Sequence, residues 1–420
     1  MTSPSPAPWR IAAAGALALA TAMGIGRFAF TPILPMMLQG GLLDLAGASW
    51  LASANYVGYL VGALLCTLQP WQWRRPGSGI PFATTRPTRL VRAGLVATCL
   101  LTLAMSLHLP AAWPVLRFAS GVASAFVFIY TSGWCAAQLA RLGVPNMAAL
   151  IFMGPGSGIV MSGVVASGLL AWHWPAWSGW AVFGVLALVL TMLVWPVFSS
   201  QDGVSAPTAP AARPGPAAHP HGRTEVGVLA FAYGLAGFGY IVTATFLPVI
   251  ARQAMPGSPW LDLFWPVFGA GVVVGALAAS RPIFSGDMRV LLAGCYLMQA
   301  AGIAASLAWP TLAGFAFGSL LLGLPFTVIT FFALIEVRRI RPHSAAATMG
   351  LLTALYGIGQ IAGPPMTAAL LARSSTPAIG FDWALGIAAA SLVVGALMYL
   401  YMARRWPTQA PPQGAAGVTR

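Results

Sequence analysis

A chain of 420 residues with 58% hydrophobic and only 7% charged side chains cannot be a water-soluble globule, because a soluble surface needs about 25% charged residues. The net charge of +14 does not indicate nucleic acid either, since every basic residue is an arginine and the arginines fall in short clusters between apolar runs. With a mean hydropathy of +0.81 and apolar runs near the ~20 residues that span a bilayer, the expected fold is an all-α integral membrane protein. A barrel would show alternating segments of only about 10 residues.

In chain order, spans are expected near 11–36, 47–69, 90–108, 112–138, 146–170 and 177–198. A second set is expected near 226–250, 260–280, 289–308, 310–334, 345–372 and 380–402. The first run continues past Arg27 to Met37, so it reads as an uncleaved span and not a signal peptide. Residues 199–225 are rich in Pro, Ala and Gly and read as a linker. The predicted organisation is therefore 1–198, a first six-helix bundle; 199–225, the linker; 226–403, a second six-helix bundle; and 404–420, a tail.

The halves repeat. Gly24-Ile-Gly26 returns as Gly237-Phe-Gly239, and Leu34-Pro35 as Leu247-Pro248. Gly58-x-x-x-Gly62-Ala63-Leu64 returns as Gly271-x-x-x-Gly275-Ala276-Leu277, and Tyr240 stands where Arg27 stood. Glycines at this spacing permit close helix packing in lipid. A cytoplasmic N-terminus puts every arginine inside except Arg252 and Arg373, which are outside, and Arg27 and Arg117, which lie within spans. Trp9, Trp50, Trp113, Trp177 and Trp260 fall near span ends, where aromatic side chains anchor. Both termini are then cytoplasmic.

Two spans carry glycine–proline strings at matching places, Gly154-Pro155-Gly156-Ser157-Gly158 and Gly363-Pro364-Pro365. Proline removes a backbone donor, and paired interruptions of this kind mark the moving or binding region of a transporter. Gly154, Pro155, Gly158, Gly363 and Pro364 are the expected hinge residues.

These features resemble the major facilitator superfamily over essentially the whole chain. Arg117-Phe-Ala-Ser-Gly121 resembles its fourth-helix R-x-x-x-G pattern, and Gly154-Pro155-x-x-Gly158 resembles part of its antiporter-associated fifth-helix string. Gly62-Ala-Leu64 and Gly275-Ala-Leu277 resemble the start of its loop motif, although Cys66 and Ala279 occupy the motif's aspartate positions. The opening Gly24-x-Gly26-Arg27-Phe-x-Phe-Thr31-Pro32-Ile-Leu-Pro35 is similar to the bacterial YbfB/YjiJ-type branch. The resemblance implies an inner-membrane, multi-pass secondary transporter whose first and fourth helices line a central cavity.

An arginine inside a span costs roughly 2.5–3.5 kcal/mol. Arg27 and Arg117 could face one cavity and fork onto an anionic substrate; alternatively, Arg117 snorkels or bonds helix-end carbonyls. Uncharged candidates for the substrate site pair up on helix faces: Asn55 with Tyr59, Tyr240 with Thr243, and Tyr356 with Gln360, together with Tyr130. Interhelical hydrogen bonding would account equally for these polar pairs. The acidic residues fall in loops or near span ends, leaving Asp262 as the coupling candidate, while Asp44 could pair with Arg27 or Arg117.

Two G-x-G-x-x-A strings lie inside apolar runs, so they are not dinucleotide fingerprints. The four cysteines form no C-x-x-C pair and read as small hydrophobes. No metal, cofactor or enzymatic chemistry is expected, and no nucleic-acid partner. The expected partners are membrane lipid, a small solute that the buried arginines would favour as an anion, and protons, with the protein a monomer. The reading is a transporter working by alternating access, with proton-coupled efflux of an acidic metabolite or drug and organic-anion uptake both open. A membrane sensor would need an output domain that the linker and tail are too short to form.

Overall fold

In a computed structural model, residues 7–72, 87–199, 222–258, 260–281, 286–341 and 345–407 are described, with side chains omitted for 67–72 and 345–347. The expected linker, apart from its ends, and the tail beyond Pro407 lie outside these residues, as do Arg74 and Arg75. The described residues are helical almost throughout, as an apolar environment demands of a backbone that must satisfy its own hydrogen bonds.

The first span comprises α1 (Pro8–Leu19), a π-helical stretch (Ala20–Ile25) and α2 (Phe30–Gln39). There follow α3 (Leu45–Gln72), α4 (Pro87–Ala104), α5 (Trp113–Arg141), α6 (Met153–Ala171) and α7 (Ala176–Ser199). The second half holds α8 (Arg223–Ala254), α9 (Phe264–Ala279), α10 (Met288–Ala308), α11 (Leu312–Gly323), α12 (Phe326–Ile340), α13 (Ala345–Arg373) and α14 (Pro377–Arg405). Proline in the first turn, where its missing donor costs nothing, opens α1, α5 and α14.

Among the described residues, eleven spans are long and apolar enough to cross a membrane. The expected twelfth, α13, has the length, at 29 residues, but Tyr356, Gln360 and its glycines and prolines dilute its apolar run. The neighbours repeat between halves: α3 packs on α5 as α9 packs on α11, and α4 on α7 as α10 on α14. Contacts that join the halves are α3 with α13, α6 with α9, and α2 with α8. The first spans of the two halves, Pro8–Gln39 and Arg223–Ala254, are the most deeply buried, at 83% and 67% of their apolar windows. Side chains on these two helices therefore occupy the centre of the molecule. The ends holding Pro8 and Arg405 form one face, called here the terminal face.

The Gly363-Pro364-Pro365 string does not break its helix, whereas Gly154 stands just past the junction where a 3-10 stretch, Pro145–Phe152, gives way to α6. Helix α6 starts at Met153 and runs on through Gly158, and α13 continues through Pro364 and Pro365. Pro365 cannot donate to Ile361 O, and that carbonyl accepts instead from Ser53 Oγ of α3 at 3.3 Å. The first span also loses its regular winding, within the string that opens on Gly24, and the tenth is split at Leu324-Pro325 between α11 and α12.

Candidate functional site

The break in the first span has an identifiable cause. Gly24 and Gly26 lower the helix preference, and Pro32 and Pro35 cannot donate to Phe28 O and Thr31 O. The chain responds with five-residue bonds, Gly26 N to Thr21 O and Phe28 N to Met23 O, both 2.9 Å. This frees the carbonyls of Ala22, Gly26 and Arg27. Three side chains on one face of α5 accept the consequence. Ser124 Oγ donates to Ala22 O at 2.7 Å, and Ser120 Oγ to Gly26 O at 2.7 Å. Arg117 donates from one guanidinium nitrogen to Gly26 O at 3.1 Å and from the other to Arg27 O at 3.0 Å. Arg117 is 1% exposed, with Phe30 and Trp180 against its guanidinium. Both terminal nitrogens of Arg117 are thus committed to backbone.

The unwound segment presents Arg27 to the centre of the molecule, where it is 3% exposed. One terminal nitrogen donates to Gln360 Oε1 on α13 at 2.6 Å. The rest of the guanidinium lies among rings: Tyr59 at 4.1 Å to the centroid, Phe28 at 5.2 Å and Tyr56 at 5.3 Å. Among the described residues, no carboxylate pairs with Arg27, and its Nε has no hydrogen-bond partner. Gln360 in turn donates from Nε2 to the Tyr240 hydroxyl. Tyr240 stacks on Tyr356 at 5.9 Å and meets Phe326 edge-on at 4.9 Å. The arrangement is a buried cation in an aromatic cage, tethered to the other half of the chain by a neutral amide.

Of the expected site residues, the structure brings together Arg27, Tyr59, Tyr240, Tyr356 and Gln360. Asn55 turns away, donating to Arg117 O at 2.9 Å. Thr243 is buried one turn beyond Tyr240, and its hydroxyl has no partner among the described residues. Tyr130 packs on Phe126 thirteen residues along α5 from Arg117, or about 20 Å towards the terminal face. Asp262 pairs with Arg252 at the far end, away from Arg27, and Asp44 caps α3 through Gly47 N at 2.7 Å. Gly154 and Gly158 seat α6 against the first span, and Gly363 seats α13 against Ile241 of α8. Tyr56, Phe28 and Phe326 complete the cage. The i,i+3 spacing of Tyr56 and Tyr59 was the available signal for the first of them.

A second polar centre stands at the terminal face. Arg289, fully buried, contacts Asp287 at 2.6 Å, Glu336 at 3.5 Å and Glu225 at 3.7 Å. It also donates to the carbonyls of Met402 and Trp406. Arg339 pairs with Glu336 at 2.6 Å and Glu225 at 3.6 Å. This network ties α8, α10, α12 and α14 together. Burial alone would raise the Asp287 carboxyl, but its hydrogen bonds to Arg289 and the nearby arginine charges hold it below 3.8.

The family model for the uncharacterised MFS-type transporter YbfB matches residues 19–400. The chain belongs to this family of MFS-type transporters. A crystal structure of a mutant of the nucleoside transporter NupG superposes with a TM-score of 0.67, covering 92% of this chain and 98% of that one at 14% identity. At that identity the likeness establishes the fold alone. No curated protein is significantly similar in sequence. The transporter is a multi-pass membrane protein; Arg27 and Tyr240 lie on its two central helices, and α3, α12 and α13 supply the rest of the cage.

Proposed function

We propose that this transporter moves a small organic acid, as its anion, by alternating access of two six-helix bundles, residues 1–198 and 226–403. The terminal face lies in the cytoplasm and the membrane is the bacterial inner membrane, a reading supported by the one-sided distribution of the arginines. The observation that carries the substrate class is Arg27: a 3%-exposed cation that meets an amide, ring faces and the Tyr59 hydroxyl and, among the described residues, no carboxylate. A carboxylate or phosphate offers it a charge-assisted bond roughly twice as strong as a neutral one. The anion would replace Gln360 Oε1 on the guanidinium and so release the tether between the halves.

Efflux is the direction we assign. With a negative interior, an outward-moving monovalent anion gains about 2.3 kcal/mol per 100 mV, so export needs no separate coupling ion. Asp262, engaged by Arg252, carries no step in this reading. Arg117, Ser120 and Ser124 act as positioning residues that hold the unwound segment.

The test is thermal stability of the purified protein against organic anions, cations and neutral solutes, in wild type and Arg27→Ala. A ligand at 100 times its Kd stabilises by about 2.7 kcal/mol. Carboxylates that raise the wild-type melting point and not that of the variant support the reading. Equal stabilisation of both proteins by cations or neutral solutes would refute it.

A further inference from the structure

A recess of about 510 Å³ opens on the face opposite the termini, between the ends of α2, α4, α5, α6 and α7. Its volume falls within the roughly 300–1,000 Å³ of small-molecule sites. Met37, Met105, Trp113 and Trp180 form a buried floor, which combines flat indoles with adaptable thioethers. The rim carries His108 and His173, both exposed, beside exposed Leu107, Trp174 and Trp177, and no carboxylate lines it among the described residues. Beneath the floor, the Arg117 guanidinium lies 5.9 Å from the Trp180 ring centroid. Aromatic walls, a rim without acids and a cation below favour a flat apolar body with an anionic head.

The recess is distinct from the cage around Arg27. Met37 is ten residues beyond Arg27 on the same span, about 15 Å along a helix, so one small molecule cannot occupy both. We propose that the recess is a second binding site, taking an aromatic carboxylate on the outer side of the transporter. The proposal rests on the anionic-substrate reading for its choice of ligand, and the two are tested separately.

The probe is 2-naphthoate, measured by equilibrium dialysis with the full chain in nanodiscs of phosphatidylethanolamine and phosphatidylglycerol. Wild type is expected to bind two equivalents. Ser106→Trp, which fills the recess, should weaken one of them at least tenfold, and Arg27→Ala should remove the other. Independently, 2-naphthoate should slow maleimide labelling of Leu107→Cys, on the recess wall, at least fivefold, with or without Arg27. This readout decides the matter if Ser106→Trp fails to fold. One equivalent lost in Arg27→Ala, with no protection of Leu107→Cys, would overturn the second site and leave the central one standing. One equivalent sensitive only to Ser106→Trp would do the reverse. Equal protection of Leu107→Cys by a naphthyl trimethylammonium ion, or by lipid alone, would also overturn the proposal.

Discussion

Thr31 donates a 2.7 Å hydrogen bond to the carbonyl of Ala244, the residue 213 positions later that occupies its own place in the internal repeat. The two halves of the chain therefore meet at equivalent points of their first helices. Tyr56 joins Thr245 at 2.9 Å in the same region, and Ser53 reaches Ile361 O. These bonds hold the halves together on the side of Arg27 away from the termini. Thr31→Val should loosen that side. A membrane hydrogen bond averages about 0.6 kcal/mol, hence a shift of about threefold in population. Maleimide labelling of Leu247→Cys, a position 1% exposed, should rise by that factor in the Thr31→Val background.

Gly158 and Gly24 let α6 lie directly on the unwound part of the first span. A Cβ on Gly158 would stand 2.7 Å from Gly24 Cα, with backbone on both sides and nothing that can yield. Gly158→Val should therefore cost at least the ~1–3 kcal/mol of an overpacked core and lower the folded yield in detergent. Gly168→Ala, ten residues along the same helix with open space around it, should match wild type in the same size-exclusion assay.

Arg117→Lys tests the positioning of the break. An ammonium is a compact point donor and cannot span Gly26 O and Arg27 O as a planar fork does. Transport should fall while the melting point changes less, and Ser120→Ala with Ser124→Ala should act in the same direction. Full transport by Arg117→Lys would show that the fork is dispensable.

At the terminal face, Arg289→Ala would leave Glu225, Asp287 and Glu336 short of their shared cation. Breaking a buried ion pair costs about 3–5 kcal/mol, so the melting point should drop sharply. The Asp287 carboxyl is held below 3.8, so its contribution is complete above that pH and is lost as pH falls through its lowered value. The difference in melting point between wild type and Asp287→Asn should thus be constant from pH 7 to about 4 and shrink below it.

Much of this was legible in the residues. Hydropathy located the spans, and the repeat of Gly24-Ile-Gly26 at Gly237-Phe-Gly239 marked the helices that prove central. Arg27 stood out because a charge in an apolar run has to be explained. Three things were not legible. The Gly363-Pro364-Pro365 string of α13 suggested a break, yet the Ile361 carbonyl freed by Pro365 is taken by Ser53, 308 positions earlier, whose proximity is a fact of packing. Asn55 and Tyr59 share a helix face by spacing, but only contact with α5 decides that Asn55 serves Arg117 O and Tyr59 serves Arg27. Arg289 looked like one more inside arginine, because Glu225 and Glu336, which surround it, come from distant helices.

The central claim is that Arg27 binds the transported anion. It is tested most directly by efflux of a radiolabelled aromatic carboxylate from proteoliposomes under an imposed interior-negative potential, comparing wild type, Arg27→Lys and Arg27→Gln. Wild type should show saturable, potential-dependent efflux; Arg27→Gln should lose it, and Arg27→Lys should keep part of it with a raised KM. Efflux by Arg27→Gln at the wild-type rate and KM would contradict the account, and Arg27 would then be a structural tether to Gln360.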